Sequence, residues 1–137
     1  MVPELTVTDF SASRHFYVRI LGFTIMIHRE NPDFVYLSLG EAQLMLEAFH
    51  DGGWNTGILA KPLGRGINLQ IEVDDVMPLL DSLAHHHIPL YRPLKDNYYT
   101  IEASEGTTEA TKACQREFLV QDPDGYLLRF SQYIEQP

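Results

Sequence analysis

The sequence predicts an α+β fold of two tandem modules, each with the element order β-α-β-β-β. Two observations predict it. Apolar residues alternate with a period of two over most of the chain, which is typical of strands, and follow helical spacing in only two stretches. In addition, a shift of 66 residues aligns residues 5–10 with residues 71–76, so that a strand, a capping residue and a helix start recur in the same order. A duplicated module explains this recurrence, and chance repetition of a strand–helix unit is the alternative.

The first module is expected to begin with a strand over residues 4–8, and Asp9 can cap the helix that follows. That helix is predicted over residues 10–21. Its apolar side consists of residues at helical spacing, namely Phe16, Tyr17, Ile20 and Leu21. Gly22 can end the helix in a left-handed conformation. Three strands rich in β-forming residues are predicted next, at 23–29, 34–39 and 42–49.

The second module repeats this order after a connector that is rich in glycine, residues 51–66. The whole chain of 137 residues is expected to form one domain, with modules over about 1–50 and 67–137. A strand at 67–73 precedes Asp74 and Asp75, which can cap a helix. The apolar residues of that helix have helical spacing, Val76, Leu79, Leu80 and Leu83.

The remainder of the second module is predicted as strands joined by polar segments. A short strand is expected near Leu90 and a second one at 98–101, followed by a polar loop at 102–111. The last two strands are predicted at 116–121 and 126–133. An Asp-Pro-Asp-Gly turn at 122–125 connects them.

The composition restricts the class of protein. The formal net charge is −9, and an acidic surface repels phosphate backbones and anionic membranes, so neither is expected as a partner. The charge either only improves solubility or attracts a cationic ligand. Cys114 is the single cysteine, which excludes an intramolecular disulfide and favours a reducing compartment. Because no apolar run approaches ~20 residues and the N-terminus lacks the pattern of a signal peptide, we expect a cytoplasmic protein.

Strand alternation separates the side chains that pack on the helices from those that face away. In the strand at 67–73, the side chains that face away are Asn68, Gln70 and Glu72. The corresponding residues of the other strands are Val2, Glu4, Thr6, Gln43, Met45, Glu47, Phe49, Leu127, Arg129 and Ser131. These faces are either ordinary solvated sheet surface or the walls of a ligand-binding cup. We expect the cup, because duplication would set two curved sheets side by side.

Three ordered motifs resemble those of the glyoxalase/bleomycin-resistance/dioxygenase superfamily, which has the vicinal oxygen chelate fold. They are residues 16–23 (FYVRILGF), residues 66–75 (GINLQIEVDD) and residues 118–126 (FLVQDPDGY). The resemblance covers nearly the whole chain. It implies cupped mixed sheets and a homodimer, and it leaves open whether modules exchange between the subunits.

The metal enzymes of this superfamily bind their ion at four positions, which fall here on Val2, Met45, Asn68 and Arg129. If the alignment with the superfamily is shifted to the next residue on the same face of the strand, Glu47 takes the place of Met45. Valine cannot ligate a metal, and arginine is permanently cationic. The three or four nitrogen and oxygen ligands of a divalent metal cannot be assembled from this set. The chain thus resembles the metal-free bleomycin-resistance branch, and we expect no metal, no cofactor and no catalytic residue.

This resemblance implies a protein that sequesters a bulky cationic ligand of the bleomycin type in a groove shared by two subunits. The residues expected to bind the ligand are Glu47, Phe49, Trp54, Asn68, Gln70, Glu72, Tyr98 and Arg129. The acidic residues would attract the cation, the amides would bind ligand amides, the rings would stack, and Arg129 would orient a carboxylate or hold a glutamate. Two alternatives remain open. One is an enzyme with an altered metal site that acts on an endogenous metabolite, and the other is a protein whose chief partner is its own second copy.

Overall fold

The computed structural model describes residues 1–101 and 111–135, and in these residues eight strands form two four-stranded sheets. The first module contains β1 (Glu4–Val7), α1 (Phe10–Arg14), β2 (Thr24–Arg29), β3 (Phe34–Leu39) and β4 (Ala42–Ala48). The second contains β5 (Asn68–Glu72), α2 (Met77–His85), β6 (Arg92–Ile101), β7 (Thr111–Gln121) and β8 (Leu127–Ile134). The same element order in both modules confirms the predicted fold class. Neither α1, α2 nor any other helix in the described ranges has the length and apolarity needed to cross a membrane.

The two sheets have the same topology. Their strand orders are β1-β4-β3-β2 and β5-β8-β7-β6. In each sheet the first strand of the module pairs in parallel with the last, and the other pairs are antiparallel. Because parallel neighbours cannot be joined by a tight hairpin, the connection that leaves the first strand of each module contains its helix. The matching strand orders support the duplication inferred from the residue pattern.

The first helix differs from the predicted one in its winding. Asp9 caps α1 as expected, since its side chain accepts a hydrogen bond (3.1 Å) from a backbone N–H of the first turn. The chain then continues as a π-helix over His15–Ile20. At its end the Leu21 N–H donates to the Phe16 carbonyl, five residues back, at 3.0 Å. The wider turn brings three large side chains into the core: Phe16, Tyr17 and Ile20.

Strands β6 and β7 are longer than predicted. One continuous strand, β6, replaces the two expected near Leu90 and at 98–101, because β7 pairs with it over its length across one bulge. Leu90 itself lies outside the strand. β7 begins at Thr111, which was predicted to be in a loop, and the rest of that loop, residues 102–110, lies outside the described residues. Pairing with neighbouring strands satisfies the backbone of these polar segments, which local residue preferences do not reveal.

One hydrophobic core joins the two modules. It contains most of the apolar residues predicted to point toward the helices, among them Leu5, Val7, Leu44, Leu46, Ile71, Leu128 and Phe130. Ile67, which the alternation also placed on that side, is instead 57% exposed. In the second module the rings of Phe118 and Phe130 stack with their centroids 5.4 Å apart. Between the helical segments, the Ser82 hydroxyl donates to the Ile20 carbonyl at 2.6 Å. Because both sheets and both helical regions contribute, the core fixes the position of one module against the other.

The Asp-Pro-Asp-Gly turn at 122–125 forms a polar junction between the modules. The buried Asp122 carboxylate accepts a hydrogen bond from the Tyr17 hydroxyl of the first module at 2.7 Å. Asp124, also buried, accepts from both the backbone N–H (3.0 Å) and the hydroxyl of Thr8, directly after β1. Gly125 has a φ of +98°, and a Cβ there would lie 2.5 Å from the Pro62 side chain in the connector. This turn therefore holds the second module to both β1 and the connector.

Candidate ligand-binding site

Strand register confirms which side chains share the faces that point away from the helices. In the first sheet Glu4 lies opposite Met45 and Thr6 lies opposite Glu47. In the second sheet the paired residues of this face are Asn68 with Leu127, Gln70 with Arg129 and Glu72 with Ser131. We call these surfaces polar face 1 and polar face 2. Five of the predicted ligand-binding residues are divided among three pockets on and between these faces, whereas Phe49, Tyr98 and Arg129 line none of the three.

A small pocket on polar face 1 brings Glu47 and Trp54 together with Glu4, His50 and Arg29. Its volume is about 280 Å³. Burial and the neighbouring Glu47 carboxylate, with which it shares a hydrogen bond, raise the pKa of Glu4, while Arg29 acts in the opposite direction. His50 lies 3.7 Å from the Glu47 carboxylate, and the Trp54 side chain is 95% exposed. Two adjacent carboxyl groups beside an exposed indole are suited to bind an organic cation.

A larger cleft of about 450 Å³ lies between β4 and β5. Its polar side chains include Gln43 from polar face 1 and both Asn68 and Gln70 from polar face 2. The lining also includes Leu44 and Ile71, which belong to the hydrophobic core. In this cleft Asn68 and Gln70, two of the predicted ligand-binding residues, lie next to Gln43 of the other sheet.

Arg129 is engaged by neighbouring side chains on polar face 2. Its Nη2 donates to the Gln70 Oε1 at 2.5 Å, and its Nε lies 4.0 Å from a Glu117 oxygen. The other Glu117 oxygen accepts a hydrogen bond from the Asn97 amide at 2.7 Å. The guanidinium thus lies within ion-pair distance of a glutamate and is hydrogen-bonded to a glutamine, while its buried Nε has no hydrogen-bond partner among the described residues.

Glu72 lies apart from this network in an acidic groove of about 640 Å³, with Glu41, Asp74 and Tyr133. Phe49 is 54% exposed just after β4, and its N–H donates to the Val7 carbonyl at 2.9 Å. Tyr98 pairs with Cys114, whose position on β7 belongs to the face opposite Arg129. The register therefore places Tyr98 on the other side of the sheet from polar face 2.

Several residues of this arrangement were not among the predicted ligand-binding residues, and three of them show what the pattern lacked. Gln43 was placed on the correct face by alternation, but its position in the cleft depends on the packing of the two sheets. Tyr36 lies opposite Met45 on polar face 1, and its hydroxyl donates to Gln43 Oε1 at 2.8 Å. Asn97 lies in the part of β6 that the residue pattern did not assign to a strand. Alternation in a correctly assigned β6 would have placed Asn97 on the same face as Arg129.

Comparison with known proteins identifies the family. A model of the Glyoxalase/Bleomycin resistance protein/Dioxygenase superfamily matches residues 2–130. The chain belongs to this superfamily. The match spans both modules and includes the three motifs from which the resemblance was inferred.

Relatives within the superfamily include bleomycin resistance proteins. That of Geobacillus stearothermophilus is 29% identical, and the alignment covers 98% of this chain and 96% of the relative. Among solved structures, TioX from Micromonospora sp. ML1 has a TM-score of 0.67 at 19% identity, covering 98% of both chains. A bleomycin-binding protein complexed with bleomycin has a TM-score of 0.59 at 24% identity, covering 96% of both chains. The two structures show that the fold is shared.

The positions that bind metal in enzymes of the superfamily do not fit a metal here. Val2 has no ligand atom, and the Arg129 guanidinium brings a positive charge to the place where an ion would need a carboxylate. That guanidinium is itself bound to Gln70. Within residues 1–101 and 111–135, no three His, Cys, Asp or Glu side chains are grouped so that they could hold a metal ion. The donor set of these positions is instead suited to hydrogen bonds with an organic ligand.

Proposed function

We propose that this protein binds a bulky organic cation of the bleomycin type and sequesters it in the cytoplasm without changing it chemically. The observation that carries the proposal is the pocket of polar face 1, in which the Glu4 and Glu47 carboxyl groups adjoin the exposed Trp54 ring. The likeness to the Geobacillus stearothermophilus bleomycin resistance protein along nearly the whole of both chains supports it. The similar fold of a bleomycin-binding protein in complex with bleomycin is also consistent with it.

The two carboxyl groups of the pocket favour a cation over an anion, and Arg29, which lies in the same pocket, acts in the opposite direction. Glu4 and Glu47 lie close enough for one to raise the pKa of the other, so two negative charges there repel each other. A bound ammonium or sulfonium group would relieve this repulsion and would draw electrostatic attraction from the face of the indole ring. Binding of a cation should therefore lower the pKa of Glu4.

A second subunit would complete the groove. Both polar faces carry large apolar side chains that are more than half exposed, including Ile27 and Phe49 on polar face 1 and Tyr133 on polar face 2. A partner surface commonly covers such residues when a polar rim surrounds them. We propose a homodimer in which these faces line the shared groove. Sedimentation equilibrium should give twice the 15.7 kDa of one chain.

Calorimetric titration with metal-free bleomycin tests the proposal. We expect saturable binding that Glu47→Gln weakens about tenfold, a loss of roughly 1.4 kcal/mol. The matched control is Asp81→Asn, which removes one exposed carboxylate from α2, away from both faces, and should leave the affinity unchanged.

Two results would contradict the proposal. Absence of heat at high micromolar bleomycin would exclude this ligand, and equal weakening by Asp81→Asn and Glu47→Gln would show that only net charge matters. Elemental analysis of the purified protein provides a separate check. A stoichiometric transition metal would instead favour the alternative of an enzyme with an altered metal site.

A further inference from the structure

The cleft between β4 and β5 contains two glutamine side chains whose amide oxygens are already engaged. The Oε1 of Gln43 accepts a hydrogen bond from the Tyr36 hydroxyl at 2.8 Å. The Oε1 of Gln70 accepts one from Arg129 Nη2 at 2.5 Å. In the described ranges neither amide nitrogen donates to a protein acceptor. Each side chain thus retains an NH₂ group, with two donors, at the cleft.

The orientation of Gln70 is fixed by the chemistry of its partner. A guanidinium group has donors only, so a reversed Gln70 amide would direct its N–H groups against those of Arg129. Arg129 in turn forms an ion pair with Glu117 at 4.0 Å, and Glu117 accepts a hydrogen bond from the Asn97 amide. A chain of three side chains therefore sets the direction of one donor group. On the opposite wall the Tyr36 hydroxyl donates to Gln43 Oε1 and so holds this side chain in place, although a hydroxyl, which can also accept, does not by itself exclude the reversed amide.

From these contacts we propose that the cleft binds carbonyl oxygens of an uncharged, amide-bearing segment of the ligand, through the NH₂ groups of Gln43 and Gln70. Arg129 and Tyr36 are positioning residues for these donors. This inference rests on the proposed function and assigns a second part of the same ligand. The pocket with Glu4 binds the cationic end, and the cleft binds a peptide-like part.

A neutral acceptor suits the cleft better than a carboxylate. The positive charge of Arg129 is offset by Glu117, and the Glu41 carboxylate lines the cleft, where it repels an anion. The side-chain donors that line the cleft are neutral amides. The core residues Leu44 and Ile71 add apolar contact for the carbon atoms between successive amides.

Calorimetry with metal-free bleomycin tests the donors. Gln70→Ala should weaken binding about 3- to 10-fold, the usual effect of losing a neutral hydrogen bond. Gln70→Glu should weaken it further, because the carboxylate keeps the bond to Arg129 but replaces the donors by an acceptor. The matched control is Gln121→Ala, an exposed glutamine outside the cleft, which should bind like the wild type. Normal affinity of Gln70→Glu would overturn the inference while leaving the proposed function intact.

The positioning role is tested by non-additivity. Tyr36→Phe should weaken binding in the wild-type background, because the Gln43 amide is then free to rotate. In a Gln43→Ala background the same substitution should have no effect. If Tyr36→Phe weakens binding equally in both backgrounds, the hydroxyl affects the affinity by a route that does not involve Gln43.

A probe that does not depend on bleomycin separates this inference from the proposed function. N,N-dimethylacetamide has one carbonyl acceptor and no N–H donor. In ¹⁵N-labelled protein it should shift the side-chain NH₂ resonances of Gln43 and Gln70 in a saturable way, and that of Gln121 should not move. If bleomycin fails to bind but these shifts occur, the proposed ligand is wrong and the cleft assignment stands. Unsaturable or uniform shifts of all glutamines would overturn the assignment.

Discussion

The buried carboxyl group of Asp122 should make the protein more stable as the pH falls from 6 to 4. Burial raises the pKa of Asp122 from an ordinary value of 3.8 to about 6, although hydrogen bonds from Tyr17 and from the turn's own backbone act in the opposite direction. The Asp124 carboxylate adds to the increase. In this pH window the folded protein holds a proton that the unfolded chain has released. The free energy of unfolding therefore decreases as the pH rises.

The size of the effect follows from the shift. About 2 pKa units at 1.36 kcal/mol each give up to about 3 kcal/mol between the two ends of the window. Asp122→Asn removes the titrating group. We expect the wild type to gain stability relative to this variant on acidification, whatever the absolute stability of the variant. The comparison of slopes is needed because another carboxyl group, that of Glu4, also has a raised pKa and changes the stability in the same direction.

Urea denaturation followed by far-ultraviolet circular dichroism at several pH values measures this difference. Asp81→Asn, on the exposed side of α2, serves as the control and should keep the wild-type slope. Tyr17→Phe removes one donor to the Asp122 carboxylate, so it should raise the pKa further and extend the stabilisation to higher pH. Parallel pH profiles for the wild type and Asp122→Asn would refute the assignment of a raised pKa to this group.

Three other substitutions test the packing and the site. Gly125→Ala should destabilise the protein by about 2 kcal/mol or more, because it combines a positive φ with a clash against the connector; Gly57→Ala, with open space around it, should change the thermal midpoint little. Phe118→Ala should cost about 3–5 kcal/mol in urea denaturation, whereas Phe49→Ala, at a half-exposed position, should cost far less. Trp54→Ala should leave the thermal midpoint unchanged but weaken binding of metal-free bleomycin, and unchanged affinity would exclude the ring from the site.

Much of the fold was predictable because several of its strands alternate clearly and its turns contain strong signals. The strand at 67–73 has a clear period of two, and the repeat of β1, cap and helix indicated the duplication. The π-helix at His15–Ile20 was not predictable, because its apolar residues also satisfy ordinary helical spacing. Strand β6 was divided in two because its stability comes from pairing with β7, a contact that local residue preferences do not contain.

The candidate site was predictable only as far as the faces of the sheets. Alternation assigned Glu47, Gln70 and Arg129 to faces that point away from the helices, and the register confirms these positions. Alternation gives no distances between strands of different sheets, so it could not show that Gln43 lines the same cleft as Gln70. Nor could it show that Arg129 would be bound by its neighbours rather than free for a ligand.

The position of Trp54 has a practical consequence for studying the protein. It is the single tryptophan of the chain, and it lies in the connector, almost fully exposed, at the rim of the pocket formed with Glu4 and Glu47. Its fluorescence should therefore report the state of the pocket without a label and without interference from the core. Emission should shift to shorter wavelength when a ligand excludes water from the indole. The fluorescence of Trp54 can thus be used to follow ligand binding at this pocket in the unmodified protein.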